Sequence, residues 1–432
     1  MPFLNEYLSF LYERKHTLQS SQFDEERKSS MNYSSEEVIQ YVSEEDVKFI
    51  RLAFCDIYGK QKNISIMPGE LQKAFSSGIA IDASAIDGLD TDIHSDLFLF
   101  PDPATISVLP WRPDHGRVVR MFCDIRYPDN SQFESDARNL LKTSIRHAED
   151  LGISFFFGTE LEFYLFWRDE NSIPTKIPYD EAGYMDIAPE DKGENVRREI
   201  CLTLERMGII PERSHHEEGP GQNEIDFKYA SPLRAADNAV TFISVVQTIA
   251  ATNGLYADFT PKPLKDNPGN GMHINLSATS ADGKDKMPQI IAGILAHIRE
   301  ITLFLNISED SYSRFGTDKA PLYVTWSSEN RSQLVRIPAS KGDSERAELR
   351  SPDPSCNPYI AFALIMEAGL DGIRRNLTLP DAADLNLYLA PPEVTGQFEK
   401  LPLNLQEAKE IAKNSSFIAD ILPSEMIDYY IR

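Results

Sequence analysis

The chain has 432 residues, long enough for two or three domains with a sizeable core, and its 41% hydrophobic and 25% charged content is that of a soluble globular protein. A net charge of −24 argues against nucleic acid or an anionic membrane as a partner, although local arginines can still oppose an anionic ligand. Cys55, Cys123, Cys201 and Cys356 are scattered without metal-ligand spacing and read as reduced thiols, which points to the cytoplasm.

Residues 1–42 read as an N-terminal arm. MPFLNEYLSFLYERKH is amphipathic, lacks a basic leader and a small-residue cleavage site, and makes a poor signal peptide. No run of about 18 apolar residues predicts a membrane span. From Val47, VKFIRLAFCDIYGKQKNISIM predicts a hairpin with Tyr58 and Gly59 in its turn. TISVLPW and GRVVRMFCDI add strands, giving a small β-rich domain over 43–128 that ends at the turn-forming YPDNSQFESD. Helical periodicity follows over 137–150, 194–207, 237–253, 287–306 and 358–375. These helices alternate with strands in a larger domain, 129–432.

Those strands carry the chemistry. In FFFGTELEFYLF, Glu160 and Glu162 share one strand face while Leu161 and Phe163 fill the other. Two carboxylates spaced roughly 7 Å apart repel by about 2 kcal/mol at an effective dielectric near 20, which calls for a counter-charge. SHHEEGPGQNEIDF adds Glu217, then Glu224 and Asp226 on one face; at most one of His215 and His216 can face the same cavity. GMHINLS aligns His273, Asn275 and Ser277, and ERAELR aligns Arg346, Glu348 and Arg350. The fold class is therefore α+β, with a curved antiparallel sheet whose apolar side rests on helices and whose charged side lines a cavity. Glu160, Glu162, Glu217, Glu224 and Glu348 with His273 suit Mg²⁺ or Mn²⁺ better than zinc or copper. Arg314, Arg331, Arg336, Arg346 and Arg350 add guanidinium forks, and arginines beside a metal site suggest phosphoryl transfer. KDNPGNGMH places glycines where backbone can approach a ligand, but it is not a P-loop. Taken alone, Asp56 in CDIYGK is a turn residue.

Together these segments resemble the glutamine synthetase family in order and spacing, from about Ser43 to the C-terminus. DIYGK is similar to its DxxGK turn, FFFGTELEF to GxExEF, and PKPLKDNPGNGMHINLS to PKPLFGxNGSGMHxxxS; NRSQLVRIP and RAELRSPDPSCNPYIAFALIMEAGLDGI match further family motifs. The resemblance implies a small β-grasp-like domain ahead of the catalytic domain. It also implies stacked rings, usually of twelve identical subunits, with each active site between neighbours. It implies ligation of ammonia to L-glutamate with ATP, through a γ-glutamyl phosphate. By position, Glu162, Glu217 and Glu224 would hold one cation and Glu160, His273 and Glu348 a second. Glu212, Tyr229, Asn275, Ser277, Arg331 and Arg336 match nucleotide positions; Gly269, Arg314 and Arg350, with Arg331, match the glutamate site. Asp56 matches the aspartate that crosses to the neighbouring subunit, binds ammonium and takes its proton. Tyr388 aligns with a tyrosine that some members adenylylate.

Two departures bear on the nitrogen donor. The loop that usually carries YEAP reads SRFGTDKAPLY, so a glutamate position is Lys319, whose charge should repel ammonium unless it points outward or Asp318 substitutes. Pro268 stands where many members have asparagine, as in some glutamate–amine ligases of the superfamily. A ligase for a larger amine, or a non-catalytic ring protein, are the alternative readings.

Overall fold

The computed structural model describes residues 33–89, 95–112, 115–317, 319–339 and 346–432. Most of the expected arm, 1–32, and Asp318 lie outside the described residues. Residues 33–42 do not form a loose arm. They enter helix α1 (Ser35–Glu44), which is opened by a capping box of Ser34 and Glu37 and buries Val38 and Val42 in the first core.

That core belongs to a six-stranded sheet. Strands β1 (Val47–Cys55) and β2 (Gln61–Ile66) form the predicted hairpin, with Gly59 at φ 80° in its turn. Helix α2 (Leu71–Ser77) lies beside them, followed by β3 (Ile79–Asp82), β4 (Asp96–Pro101), β5 (Ser107–Val108) and β6 (Arg117–Arg126). The main path runs β2-β1-β6-β4-β3, with β1 and β6 parallel.

After helix α3 (Ala137–Asp150) comes the long strand β7 (Ile153–Arg168), the centre of a nine-stranded sheet. The sheet is completed by β8 (Pro174–Pro178), β9 (Pro211–His216), β10 (Gln222–Phe227), β11 (Leu255–Asp258), β12 (Met272–Ser280), β13 (Trp326–Ser328), β14 (Val335–Ile337) and β15 (Ala347–Leu349). Its pairs are antiparallel except β13 with β14 at the edge, which run parallel. Helices α4 (Glu194–Arg206), α5 (Pro232–Thr252), α6 (Met287–Leu305) and α7 (Pro358–Arg374) match the periodicity closely. Helix α5 begins five residues before its predicted start, because Pro232 is well suited to the first helical position.

Leu161, Phe163, Ile225, Ile274, Leu276 and Leu349 are buried in the core beneath the sheet, where Phe157 stacks on Phe362 of α7 at 4.5 Å. Helices α6 and α7 meet at glycines: a Cβ on Gly293 would fall 2.1 Å from the Ala368 carbonyl oxygen. Helix α6 is long and apolar enough to cross a membrane, but 72% of that span is buried inside the protein, as in a core helix.

The two sheets are joined by polar contacts. Tyr430 and Asn357 donate to the Ile57 carbonyl at 2.8 and 3.0 Å. Arg138 on α3 pairs with Asp102 and Asp124 of the first sheet's side and with Asp237 of α5. A guanidinium with three carboxylates is the kind of buried arrangement whose desolvation is offset only when its donors are used.

Candidate active site

Strand register brings the distant acids together in two rows. In one, His273 faces Glu160, Glu160 faces Asp226, and Asp226 faces Arg213, across β12, β7, β10 and β9. In the next, Glu162 faces Glu224, which faces His215. Glu348 on β15 pairs with Asn275 on β12 and Arg336 on β14. A residue period of two sends every one of these side chains to the side opposite the apolar core.

His273 Nδ1 lies 3.6 Å from Glu160 Oε2 and 3.7 Å from Glu348 Oε1. His215 Nε2 lies 2.9 Å from Glu217 Oε1 and 3.7 Å from Glu224 Oε1. Ligand atoms of Glu160, Glu224 and His273 fall within 4.8 Å of one another, as do those of His215, Glu217 and Glu224. Glu224 thus spans both groups, and His215 joins a set in which the sequence named only carboxylates. Glu162 lies outside both groups; its Oε2 accepts from the Gly271 N–H at 2.7 Å and from Gln222 at 3.3 Å.

The electrostatics divide these acids: Glu224 and Glu162 are held up, whereas Glu160, Glu217 and Glu348 are held down by their partners. Burial and the surrounding carboxylates, Asp226, Glu162, Glu160 and Glu217, push Glu224 well above the usual range. Burial and Glu217 also raise Glu162. Burial pushes against Glu160 too, but the hydrogen bond and charge of His273, with Asn275, bring it down to about 2. Burial opposes the ionised form of Glu348 as well; Arg350 and His273 prevail and lower it. A buried, oxygen-rich set with one or two imidazoles and unresolved mutual repulsion fits hard divalent cations.

Two cavities flank this row. On one side is a narrow cleft that Glu162, Glu217, Gly269 and Arg314 help to line. Gly269 has no room for a side chain: a Cβ would meet the Pro261 carbonyl at 2.5 Å and Arg314 Cγ at 2.7 Å. Arg314 is buried and makes long contacts, 3.3–3.4 Å, to Ser351, Asp353 and Pro352 among the described residues. Arg350 is fully buried and is not among the residues lining the cleft; it pairs with Glu348 and donates to the carbonyls of Arg331 and Lys319. On the other side is a cavity of about 670 Å³ lined by Glu160, Glu212, Tyr229, Asn275 and Ser277.

Several expected residues stand elsewhere. Arg336 turns to Glu348, at 2.6 Å, and Arg331 is exposed on the turn before β14; neither is among the residues lining either cavity. Arg213, Asp226 and Arg346, left out of the nucleotide set, do line the larger one. Asp56 lines neither. Its Oδ1 caps the hairpin turn by accepting from the Tyr58 and Lys60 N–H groups, and its Oδ2 lies 3.2 Å from Lys62. Of the adjacent histidines, His215 faces the cleft and His216 is fully buried behind it, as alternation requires. The hydroxyl of Tyr388 is shielded from solvent. Lys319 does not point away into solvent: it meets Glu218 at 2.6 Å beside the cleft.

Comparison with known proteins agrees with this geometry. Family models described as the beta-Grasp domain and the catalytic domain of glutamine synthetase match residues 46–128 and 134–432. The chain is 43% identical over 414 residues to a glutamine synthetase of Methanosarcina mazei, covering 92% of each. It is 41% identical to one of Clostridium saccharobutylicum, covering 92% of this chain and 94% of that protein. A solved structure titled a GmaS/ADP complex superposes with a TM-score of 0.82 at 27% identity, covering 91% of this chain and 93% of that one. The Plasmodium falciparum glutamine synthetase shares the fold, with a TM-score of 0.81 at 22% identity and coverage of 92% and 94%. The two-sheet architecture, the acidic cross-strand rows and these matches together show that the chain belongs to the glutamine synthetase family.

Proposed function

We propose that the acidic rows divide one reaction between the two cavities, with ATP on the Asn275–Ser277 side and glutamate on the Gly269–Arg314 side. The reaction is that of the family, ATP-dependent formation of glutamine from glutamate and ammonia. One observation carries the division of labour. Glu160 and Glu162, two residues apart on one strand, border different cavities, so phosphate and carboxylate substrates can meet between them.

Glu162, Glu217 and Glu224 would hold one Mg²⁺ or Mn²⁺, and Glu160, His273 and Glu348 a second. Such cations supply charge neutralisation and Lewis acidity to phosphoryl transfer. Glu212, Tyr229, Asn275 and Ser277 line the nucleotide's cavity; Arg331 and Arg336, which line neither cavity, are assigned to its phosphates by their position in the family motif alone. Arg314 and Arg350 offer guanidinium forks to the carboxylates of glutamate, and Gly269 gives them a close backbone wall. The γ-carboxylate attacks the γ-phosphorus and the bond to ADP breaks. Ammonia then attacks the acyl carbon of the γ-glutamyl phosphate and phosphate leaves.

Ammonium must lose a proton before it can attack, which calls for a carboxylate base. Asp56, which lines neither cavity of its own chain, would serve that role in a neighbouring subunit's site, and that reading implies a ring assembly of twelve subunits. The boundaries 43–128 and 129–432 for the two domains and a cytoplasmic location belong to the same proposal. The test is phosphate release and glutamine formation from ATP, glutamate and Mg²⁺ with ammonium, compared with alkylamines and polyamines. Turnover with larger amines only would overturn the ammonia reading, and ATP binding without phosphate release under any amine would overturn the enzymatic one.

A further inference from the structure

Lys319 and Glu218 stand together among the residues lining the narrow cleft. Lys319 Nζ lies 2.6 Å from Glu218 Oε1 and 4.7 Å above the ring of Tyr184. Tyr184 in turn meets His215 edge to face at 5.5 Å. The lysine is held at both ends. Its carbonyl accepts from Arg350 Nη2 at 3.3 Å, and its backbone sits at φ 66°, a left-handed conformation that a lysine adopts only when its surroundings favour it. The side chains of Lys319 and Glu218 are 36% and 42% exposed, so the pair is at the mouth and in contact with solvent.

An ammonium ion entering this cleft passes a fixed cation. Lys319 alone would oppose it, while the adjoining carboxylate and the negative face of the Tyr184 ring offset that charge. We propose that Glu218 and Lys319 form a compensated charge pair at the mouth of the cleft that sets its affinity for the nitrogen donor, a small ammonium-type cation. The inference rests on the reading that this cleft takes glutamate and ammonium. Glu218 supplies from the turn between β9 and β10 a negative charge that the 314–324 loop does not provide at position 319. The pair makes the site tolerant of a lysine there without leaving the entrance cationic.

The test is steady-state kinetics on the full-length assembled enzyme with two single variants and their double. Glu218→Gln leaves an unbalanced cation, and the KM for ammonium rises roughly 5- to 10-fold, after allowance for solvent screening. Lys319→Gln leaves an unbalanced anion, and the KM for ammonium falls by a similar factor while that for glutamate rises. The double variant returns the ammonium KM to within about twofold of the parent. Both single effects shrink at high ionic strength, which a packing defect would not reproduce. Thermal melts of all three confirm an intact fold. Shifts of the same sign in both single variants, or changes in kcat with the ammonium KM unmoved, would overturn the pair's role. A parent that turns over methylamine but not ammonium would overturn the ammonia reading alone. The opposed shifts would then be sought with methylammonium, and their absence there would overturn the pair as well.

Discussion

Among the described residues, two regions gather at least three histidine or carboxylate ligand atoms within 4.8 Å of one another, and they differ in how their charges are balanced. One is the cleft set around Glu160, Glu224 and His273. The other, behind it, is Asp180, Asp191 and His216, all buried. In the second, donors and acceptors are matched. His216 Nε2 meets Asp180 Oδ1 at 2.8 Å and its Nδ1 meets the Glu217 carbonyl at 2.7 Å. Asp180 also accepts from the N–H groups of Gly221 and Lys192, while Arg197 spans both oxygens of Asp191 and reaches Asn223. Two anions face two cations. The cleft is balanced only in part: His273 holds Glu160 down and Arg350 holds Glu348 down, while burial and the surrounding carboxylates keep Glu224 well above the usual range. Density of ligand-type residues is therefore not enough to nominate a metal site; incompletely compensated charge is the better guide.

The strongest way to break the comparison is one type of substitution in both places. Glu224→Gln should lower turnover by more than about 100-fold, beyond the range typical of residues that only support a ligand. It should also abolish the rise in melting temperature that Mg²⁺ or Mn²⁺ gives the parent. Without added metal the same variant should melt a few degrees higher, on the scale of about 1 kcal/mol, because it removes one of several crowded charges. A metal-dependent thermal shift that survives in Glu224→Gln would place the cation elsewhere. Asp180→Asn should do the opposite: it strands a buried imidazolium and costs about 3–5 kcal/mol, read in denaturant or heat. A neutral or stabilising Asp180→Asn would show that the second cluster is not a compensated one.

The second cluster also carries a pH signature of definite sign. Burial disfavours charge on both partners, yet their hydrogen bond prevails, raising His216 above 6.5 and lowering Asp180 below 3.8. The His216 contribution is present in full below 6.5 and is lost as pH rises through its elevated value. The Asp180 contribution is present above 3.8 and is lost as pH falls through its depressed value. The stability gap between parent and Asp180→Asn should therefore be widest near pH 5–6 and narrow above neutrality. A gap that is flat with pH would mean that His216 is not charged in the fold.

The contrast also explains what the sequence could and could not disclose. Glu160, Glu162, His273 and Glu348 were legible because alternation on an apolar strand leaves their direction no freedom. Arg213 was legible in principle, since it shares a strand face with His215 and Glu217, but an arginine on a short polar strand reads as solvated surface. The Asp180–His216 pair spans 36 positions with no local periodicity, so only the fold reveals it. Asp226 was placed on the right face yet given no partner, because its partner Arg213 comes from a neighbouring strand's register. The start of helix α1 is hard to read because two valines amid acids and serines are a thin signal until a sheet covers them.

Arg213 offers the finest test. Its guanidinium is 63% exposed, so its pairing with Asp226 at 2.8 Å contributes little to folding. Its place on the wall of the cavity proposed for the nucleotide is a different matter, because there it opposes the acids that a polyphosphate would have to approach. Burial and Glu160 already raise Asp226 to about 6 despite Arg213. Removing the guanidinium leaves that carboxylate facing an incoming anion. Arg213→Gln should therefore raise the KM for ATP several-fold while leaving the KM for glutamate and, within about 1 kcal/mol, the stability unchanged. An equal rise in both KM values would assign Arg213 to the acidic row common to both cavities, and would erase the division between them on which the nucleotide assignment depends.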